Sequence, residues 1–370
     1  MEATASAVFA LLARHWPLAA PATACGFDAA GASAAFALAD GTVAIAPMAD
    51  AESAARRWHV SIEDGRATLS PRSRPVAPLI RVPVDTGPLH LARFGAAGFL
   101  AGGASGRLAE IAADGQALAL VDVDSAPVEA IRPALDVSGG ALVAAGGVVT
   151  LYPGDGSTAR AVARYDGRLC ALAPLPGGRL ALAHADAVLI VEGAGETRRF
   201  DLSPGAALAW SPDGRRLAVS LASGGIAVIE PASGRVLTLA DYPAPVRALA
   251  WSADGAQLAT AGAFRPIVWD LGGPEDELPA TRPSTIDTGR AGFVAVETLA
   301  RHPRRPLLAL GFASGAIAVA PVGSRETLML REPAGGALTH LAWSGDGEHL
   351  AFADAEGSLG VVDLPPQLFK

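Results

Sequence analysis

The chain is poor in the features that nucleic-acid binders use. Lys370 is its only lysine, asparagine does not occur, and 29 basic residues against 37 acidic ones leave a net charge of −8. An acidic field opposes attraction to phosphate, so nucleic acid and anionic membrane are excluded as first readings. There are only two cysteines, Cys25 and Cys170, far apart in apolar runs. That spacing offers neither a disulfide framework nor a metal-type pair, and both are expected to be buried free thiols. No stretch of roughly 18 apolar residues is free of charge or turn residues, so a membrane-spanning helix is not expected. Catalytic signatures are equally scarce: there is no GxSxG elbow, HExxH helix, phosphate-cradling P-loop or CxxC pair. No cofactor is expected, and the chain reads as non-catalytic.

What the chain does have is turns. Glycine (42) and proline (28) punctuate a sequence that is 51% hydrophobic, a composition that excludes disorder and favours many short strands. The strands recur as a unit: an apolar run, a WSxDG-type turn, a second run, a glycine turn and a third run. The unit is clearest at Ala207–Glu230 (ALAWSPDGRRLAVSLASGGIAVIE) and returns at Ala248–Asp270 and His340–Asp363. The turns between second and third runs fall at Gly41, Gly106, Gly147, Ala187, Gly225, Pro266, Gly315 and Gly357, with spacings of 65, 41, 40, 38, 41, 49 and 42. Six of the seven lie near the roughly 40–45-residue period of a four-stranded propeller blade. Runs such as LAVSLA and IAVI do not alternate with polar residues, as expected of sheets buried on both faces by neighbouring blades.

The expected fold is therefore all-β, a β-propeller of about eight four-stranded blades, with seven as the alternative. The C-terminal unit ends at Leu364 after three runs. A strand from Phe9–Leu18 is expected to supply the fourth and close the ring by pairing the chain ends. One or two turns of helix are expected near Ala3–Arg14. The chain is read as a single propeller domain over 1–370. The long spacing marks an insertion at 48–76 in the first blade, containing a hairpin around Asp64-Gly65.

Four positions of the repeat, Trp210 with Asp213, Trp251 with Asp254, Trp269 with Asp270, and Trp343 with Asp346, resemble those of WD-repeat proteins, and the chain resembles bacterial members with degenerate repeats. Only Trp269-Asp270 is a literal WD pair. Tyr242-Pro243 stands where the Gly-His pair normally opens a repeat, and the Asp of the turn after the second strand is mostly replaced. The Asp-His-Ser-Trp network of typical WD blades is accordingly expected to be eroded. The resemblance implies a protein-interaction scaffold with one or more protein partners. A closed ring leaves no edge that demands a second copy, so a monomer is expected. Glu2, Arg14 and His15 break any export signal before Cys25, so a cytoplasmic location is expected.

Working residues are expected on the face built by the loops between fourth and first strands and between second and third: Arg132, Arg168, His184, Tyr242, Arg247, Phe264, Arg265, Arg290 and Phe293. The Phe264-Arg265 pair is singled out, because aromatic and arginine side chains anchor interfaces. The competing reading is a small ligand, a metal or an enzymatic site at the channel mouth, with His90 and His340 in equivalent positions as metal candidates. On the opposite face, Arg301, Arg304 and Arg305 replace a WSxDG turn and are expected to meet Glu275-Asp276-Glu277 in a surface ion-pair cluster.

Overall fold

The repeat builds eight antiparallel four-stranded sheets arranged as a closed ring. A computed structural model describes every residue except 1–2, 61–66, 123–125, 136–138, 194, 240–241, 273–282, 287–293, 323–326 and 370. Blades are numbered from the one that begins at Ala22, and strands a to d run from the channel outward. Strand a of the eight blades is Ala22–Phe27, His90–Phe94, Val128–Pro133, Leu169–Leu175, Pro204–Trp210, Ala248–Trp251, Val296–Arg301 and Leu338–Trp343. Each contacts strand a of the next blade, and that of blade eight contacts that of blade one, so the circle is complete. The molecule is an eight-bladed β-propeller.

Burial explains the sequence pattern. Strand b is covered on both faces, as in Ser33–Leu38 and Leu307–Phe312, where every residue is buried. Strand d borders solvent, and Thr197–Asp201 is correspondingly polar and exposed. There is no single core. Eight apolar clusters each draw on two adjacent blades, one cluster per seam. A fully buried Leu, Ile or Phe in these slabs is worth about 1.5–3 kcal/mol, so stability is spread around the circle.

Glycine marks the period for a steric reason. Gly41 and Gly315 sit at φ +85° and +77°, and a Cβ at either would lie 1.9 Å from a carbonyl oxygen, that of Asp85 or of Ala334. The chain leading into the next blade passes directly over these turns, so only glycine fits.

The ring closes without a covalent bond. Ala13–Pro17 is strand d of blade eight and pairs antiparallel with Ser358–Asp363, Ala13 opposite Val362 and Pro17 opposite Ser358. The helix before it, Ala3–Leu12, sets Phe9 edge-on against the buried Phe352 ring at 5.7 Å. The segment between Pro47 and Ile80 acts as a clasp over this seam. It carries a short helix, Ala54–Arg57, and a two-stranded ladder of Trp58–Val60 with Ala67–Leu69. From it, Pro47 O accepts from Arg14 Nη1 at 2.7 Å, Ala77 O accepts from Trp16 Nε1 at 2.9 Å, and Arg57 Nη2 donates to Leu11 O. The Ala54 amide donates to Asp363 Oδ2 at 3.2 Å, so strands c and d of blade eight are both held.

The WSxDG turns fasten one blade to the next. Trp210, Trp251 and Trp343 each end a strand a, enter the seam with the preceding blade and donate their indole N–H to that blade's strand a, at Ala173 O (3.0 Å), Ala209 O (2.9 Å) and Ala300 O (3.1 Å). The serine that follows donates to the turn aspartate, Asp213, Asp254 or Asp346, at 2.5–2.6 Å. Each aspartate also accepts a backbone N–H two residues on. In blade six, Trp269 is buried and its Nε1 reaches Thr260 Oγ1 at 3.4 Å, while Tyr242 hydrogen-bonds with Thr260. One leg of the WD-type network thus survives, with tyrosine where histidine is usual; the exposed Asp270 caps the Gly272 amide instead.

Replacing Trp251 by Ala should lower stability by about 3–5 kcal/mol through the cavity left in the seam. Trp251→Phe keeps most of the volume, loses the stitch, and should cost about 1 kcal/mol. Chemical denaturation of the three proteins checks both values.

Candidate functional site

The face formed by the loops between strands d and a and between strands b and c carries the expected working residues, and they divide into three groups. Phe264 and Arg265 occupy the b–c turn of blade six, both exposed, with Phe264 at 51%. Arg168 is exposed in the loop entering blade four. Arg247 lies at the entry to blade six and pairs with Glu297 of blade seven at 2.9 Å, its side chain still 55% accessible. These four stand at the surface of the expected face.

A second group is corrected by burial. His184 is 3% exposed, with a ring N–H at Nδ1 donating to Asp166 O at 2.8 Å, and its Nε2 is buried without a partner. Tyr242 is 8% exposed, and its hydroxyl accepts the Ala263 amide at 3.3 Å; burial raises its pKa. Both bind loop backbone together from inside and present nothing to a partner. Arg132 is also displaced: it is the penultimate residue of its strand a, toward the other end of the channel. Its side chain is wet yet crowded by protein, so desolvation holds the guanidinium below its ordinary value. Arg290 and Phe293 lie outside the described residues.

Breaks of register re-aim side chains near the start of strand a. Thr23, Glu129, Cys170, Glu297 and Thr339 each occupy the extra position of a bulge in strand a. A bulge re-aims a side chain, and here several of them reach the next blade. Thr23 Oγ1 donates to Leu89 O at 2.6 Å, and Glu129 accepts both the Tyr165 hydroxyl (2.6 Å) and the Leu169 amide (3.0 Å). Sequence spacing gave no sign of these bridges, because a bulge leaves no residue-type signature. Cys25 is half-buried, crowding by protein pushing its thiol up to about 12, and Cys170 is exposed, so neither is the buried thiol expected.

His90 and His340 do face a common space. Burial and then the Arg132 charge lower the pKa of both, His340 to about 4 and His90 with partial relief from Glu129. A guanidinium beside two imidazoles opposes cation binding, and among the described residues no group of three His, Cys, Asp or Glu side chains could hold a metal ion. The buried pair between Arg331 of blade seven and Asp354 of blade eight, at 3.3 Å with Asp354 Oδ1 also accepting the Glu356 and Ser358 amides, was not anticipated. The signal for it was the literal Asp-Ala-Glu-Gly turn at Asp354–Gly357.

Among the clefts on the opposite face, two lie at seams that lack the tryptophan wedge. Pro174 takes the Trp position in blade four, and a cleft of about 510 Å³ opens between blades three and four. Arg301 takes it in blade seven, and a cleft of about 220 Å³ opens between blades six and seven. Of the expected ion-pair cluster, the arginines lie here, while Glu275, Asp276 and Glu277 lie outside the described residues.

An eight-bladed propeller with tryptophan-stitched seams is the class that this geometry defines. Residues 203–254, spanning blade five and the start of blade six, match the family described as anaphase-promoting complex subunit 4 WD40 domain. Similar solved structures include the computationally designed Ika8 protein (15% identity, 94% of this chain and 97% of that one, TM-score 0.67). Another is the β-propeller domain of Cps50 (Swd1) from Myceliophteria thermophila (12% identity, 95% and 99%, TM-score 0.54). No curated protein matches the sequence. The family match and the propeller neighbours together support a WD-repeat propeller.

The low pKa of His340 predicts an acid-sensitive fold. The unfolded chain takes up a proton at this imidazole near the ordinary 6.5, but the folded chain does so only near 4, so stability falls as pH drops through that window. Thermal melts between those pH values should show the loss, and His340→Gln should flatten part of it.

Proposed function

We propose that the chain is a non-catalytic scaffold that presents the b–c and d–a loop face to a protein partner, with Phe264 and Arg265 as anchors. The observation that carries this reading is the pair itself. An aromatic half in solvent and an exposed arginine stand side by side on the b–c turn of blade six. Aromatic and arginine residues concentrate binding energy when a partner desolvates them. Support is mutual, since the turn is rigidly backed: the Gly262 amide donates to Val296 O at 2.8 Å, and the Val296 amide to Ala263 O at 3.0 Å, tying the turn to blade seven. A fixed turn loses little entropy on binding. WD40 propellers generally serve as interaction platforms, which agrees with this assignment.

The rest of the reading follows from charge and architecture. A net charge of −8 disfavours nucleic acid. Among the described residues no helix is long and apolar enough to cross a membrane. A monomer working in the cytoplasm is the form proposed.

Quantitative affinity capture from the native lysate, with wild type and the Phe264→Ala/Arg265→Ala variant in parallel, tests the assignment. A partner retained by wild type should be lost by the variant while the melting temperature is unchanged. Equal capture by both proteins removes this turn from the binding face.

A further inference from the structure

The a–b turn of blade seven keeps the shape of the WSxDG turn and reverses its charge. By ladder register, Arg301 stands where blades five, six and eight have Trp, His302 where they have Ser, and Arg304 where they have Asp. The turn is held none the less. His302 Nδ1 accepts the amides of Arg304 and Arg305, both at 3.0 Å, and so holds the turn by bonds of its own. Its Nε2 donates to Gly347 O at 3.1 Å, and the ring packs against Trp343 at 4.7 Å. That bonding fixes one neutral tautomer and anchors the turn to blade eight, where Gly347 leaves room that a Cβ would fill at 2.3 Å from the ring. Because the imidazole already holds the turn, the cationic side chains at 301 and 304 are not needed for its shape.

Those side chains open onto the cleft of about 220 Å³ between blades six and seven, with Arg305 beside them. In blades five, six and eight a Trp fills the corresponding seam. Here the Nη1 of Arg301 is fully buried and has no hydrogen-bond partner. A buried guanidinium nitrogen without an acceptor is costly, and an anion in the cleft would supply one. Among the described residues the carboxylate in the wall is Asp254, and it is already engaged by Ser252 Oγ (2.5 Å) and the Ala256 amide (3.0 Å). We propose that this cleft is an oxyanion-binding site, for a phosphate or carboxylate group, with Arg301 as its buried ligand and Arg304 as its rim. The site is on the face opposite Phe264 and Arg265, so it stands independently of the scaffold assignment.

The test is a titration of the full chain with sodium phosphate at constant ionic strength, chloride making up the balance, followed by calorimetry and by thermal melts. Wild type should bind saturably at one site. Arg301→Gln should weaken binding by about tenfold or more, as expected for loss of a charged hydrogen bond. Arg301→Trp rebuilds the wedge: it should abolish binding and melt higher than wild type without phosphate. A melting shift that rises without saturation and equally in all three proteins is the general effect of an excluded salt and would overturn the site. Saturable binding undiminished in both variants would do the same, as would binding that emerges only once Glu275, Asp276 and Glu277 are replaced by their amides, since the chain's own acidic run would then be the occupant. A phosphoserine peptide and its glutamate version, competed against inorganic phosphate, separate a partner-borne group from a free ion. Displacement assigns the anion to a partner, and its failure with phosphate binding intact assigns it to a small molecule; either supports the site.

Discussion

A ring of sheets must close on itself, and every other feature of this molecule depends on that closure. Eight slabs of apolar contact are shared between adjacent blades, so each blade is buried only while both neighbours are in place. Seven seams join units that follow each other in the chain. The ring is closed inside blade eight, where Ala13–Pro17 pairs with Ser358–Asp363 across almost the whole sequence. Contacts of such range carry a large loop-closure cost, and the structure concentrates polar bonds there to offset it. Arg14, Trp16, Arg57, Asp363 and the Arg331–Asp354 pair all converge on this seam.

Much of this was legible from turn chemistry. The glycine period gave eight blades because the chain crosses directly above those turns, and the three-run C-terminal unit pointed to an N-terminal strand, now placed at Ala13–Pro17. The WSxDG turns announced themselves because serine, aspartate and tryptophan each make a fixed bond there. Side-chain destination was harder to read. Tyr242 and His184 occur in loops and so resemble surface residues, yet each satisfies backbone groups from the interior. Arg132 was misplaced along its strand, since a sequence register good to a few residues cannot separate the two ends of a six-residue strand. The bulges that aim Thr23, Glu129 and Glu297 at neighbouring blades have no residue signature at all.

The contrast between seams is where stability and function part. Blades five, six and eight fill the gap with an indole and bond it to the preceding blade. Blades four and seven put Pro174 and Arg301 there and leave clefts. Arg301, Arg304 and Arg305 read from sequence alone as a solvated ion cluster. In the folded chain His302 holds the turn by accepting the Arg304 and Arg305 amides, a different set of bonds from that of serine and aspartate, which frees the turn to carry charge. A propeller can vary one seam in this way because the energetic coupling of a blade extends mainly to its neighbours.

Native-state hydrogen exchange measured strand by strand tests the closed ring most directly. If closure is as strong as the interior seams, the amides of Ala13–Pro17 and Ser358–Asp363 will exchange as slowly as those of Leu217–Leu221 in blade five, all through one global opening. Rapid exchange confined to Ala13–Pro17 and Ser358–Asp363, with blade five still protected, would contradict the account and show a ring that opens at its seam.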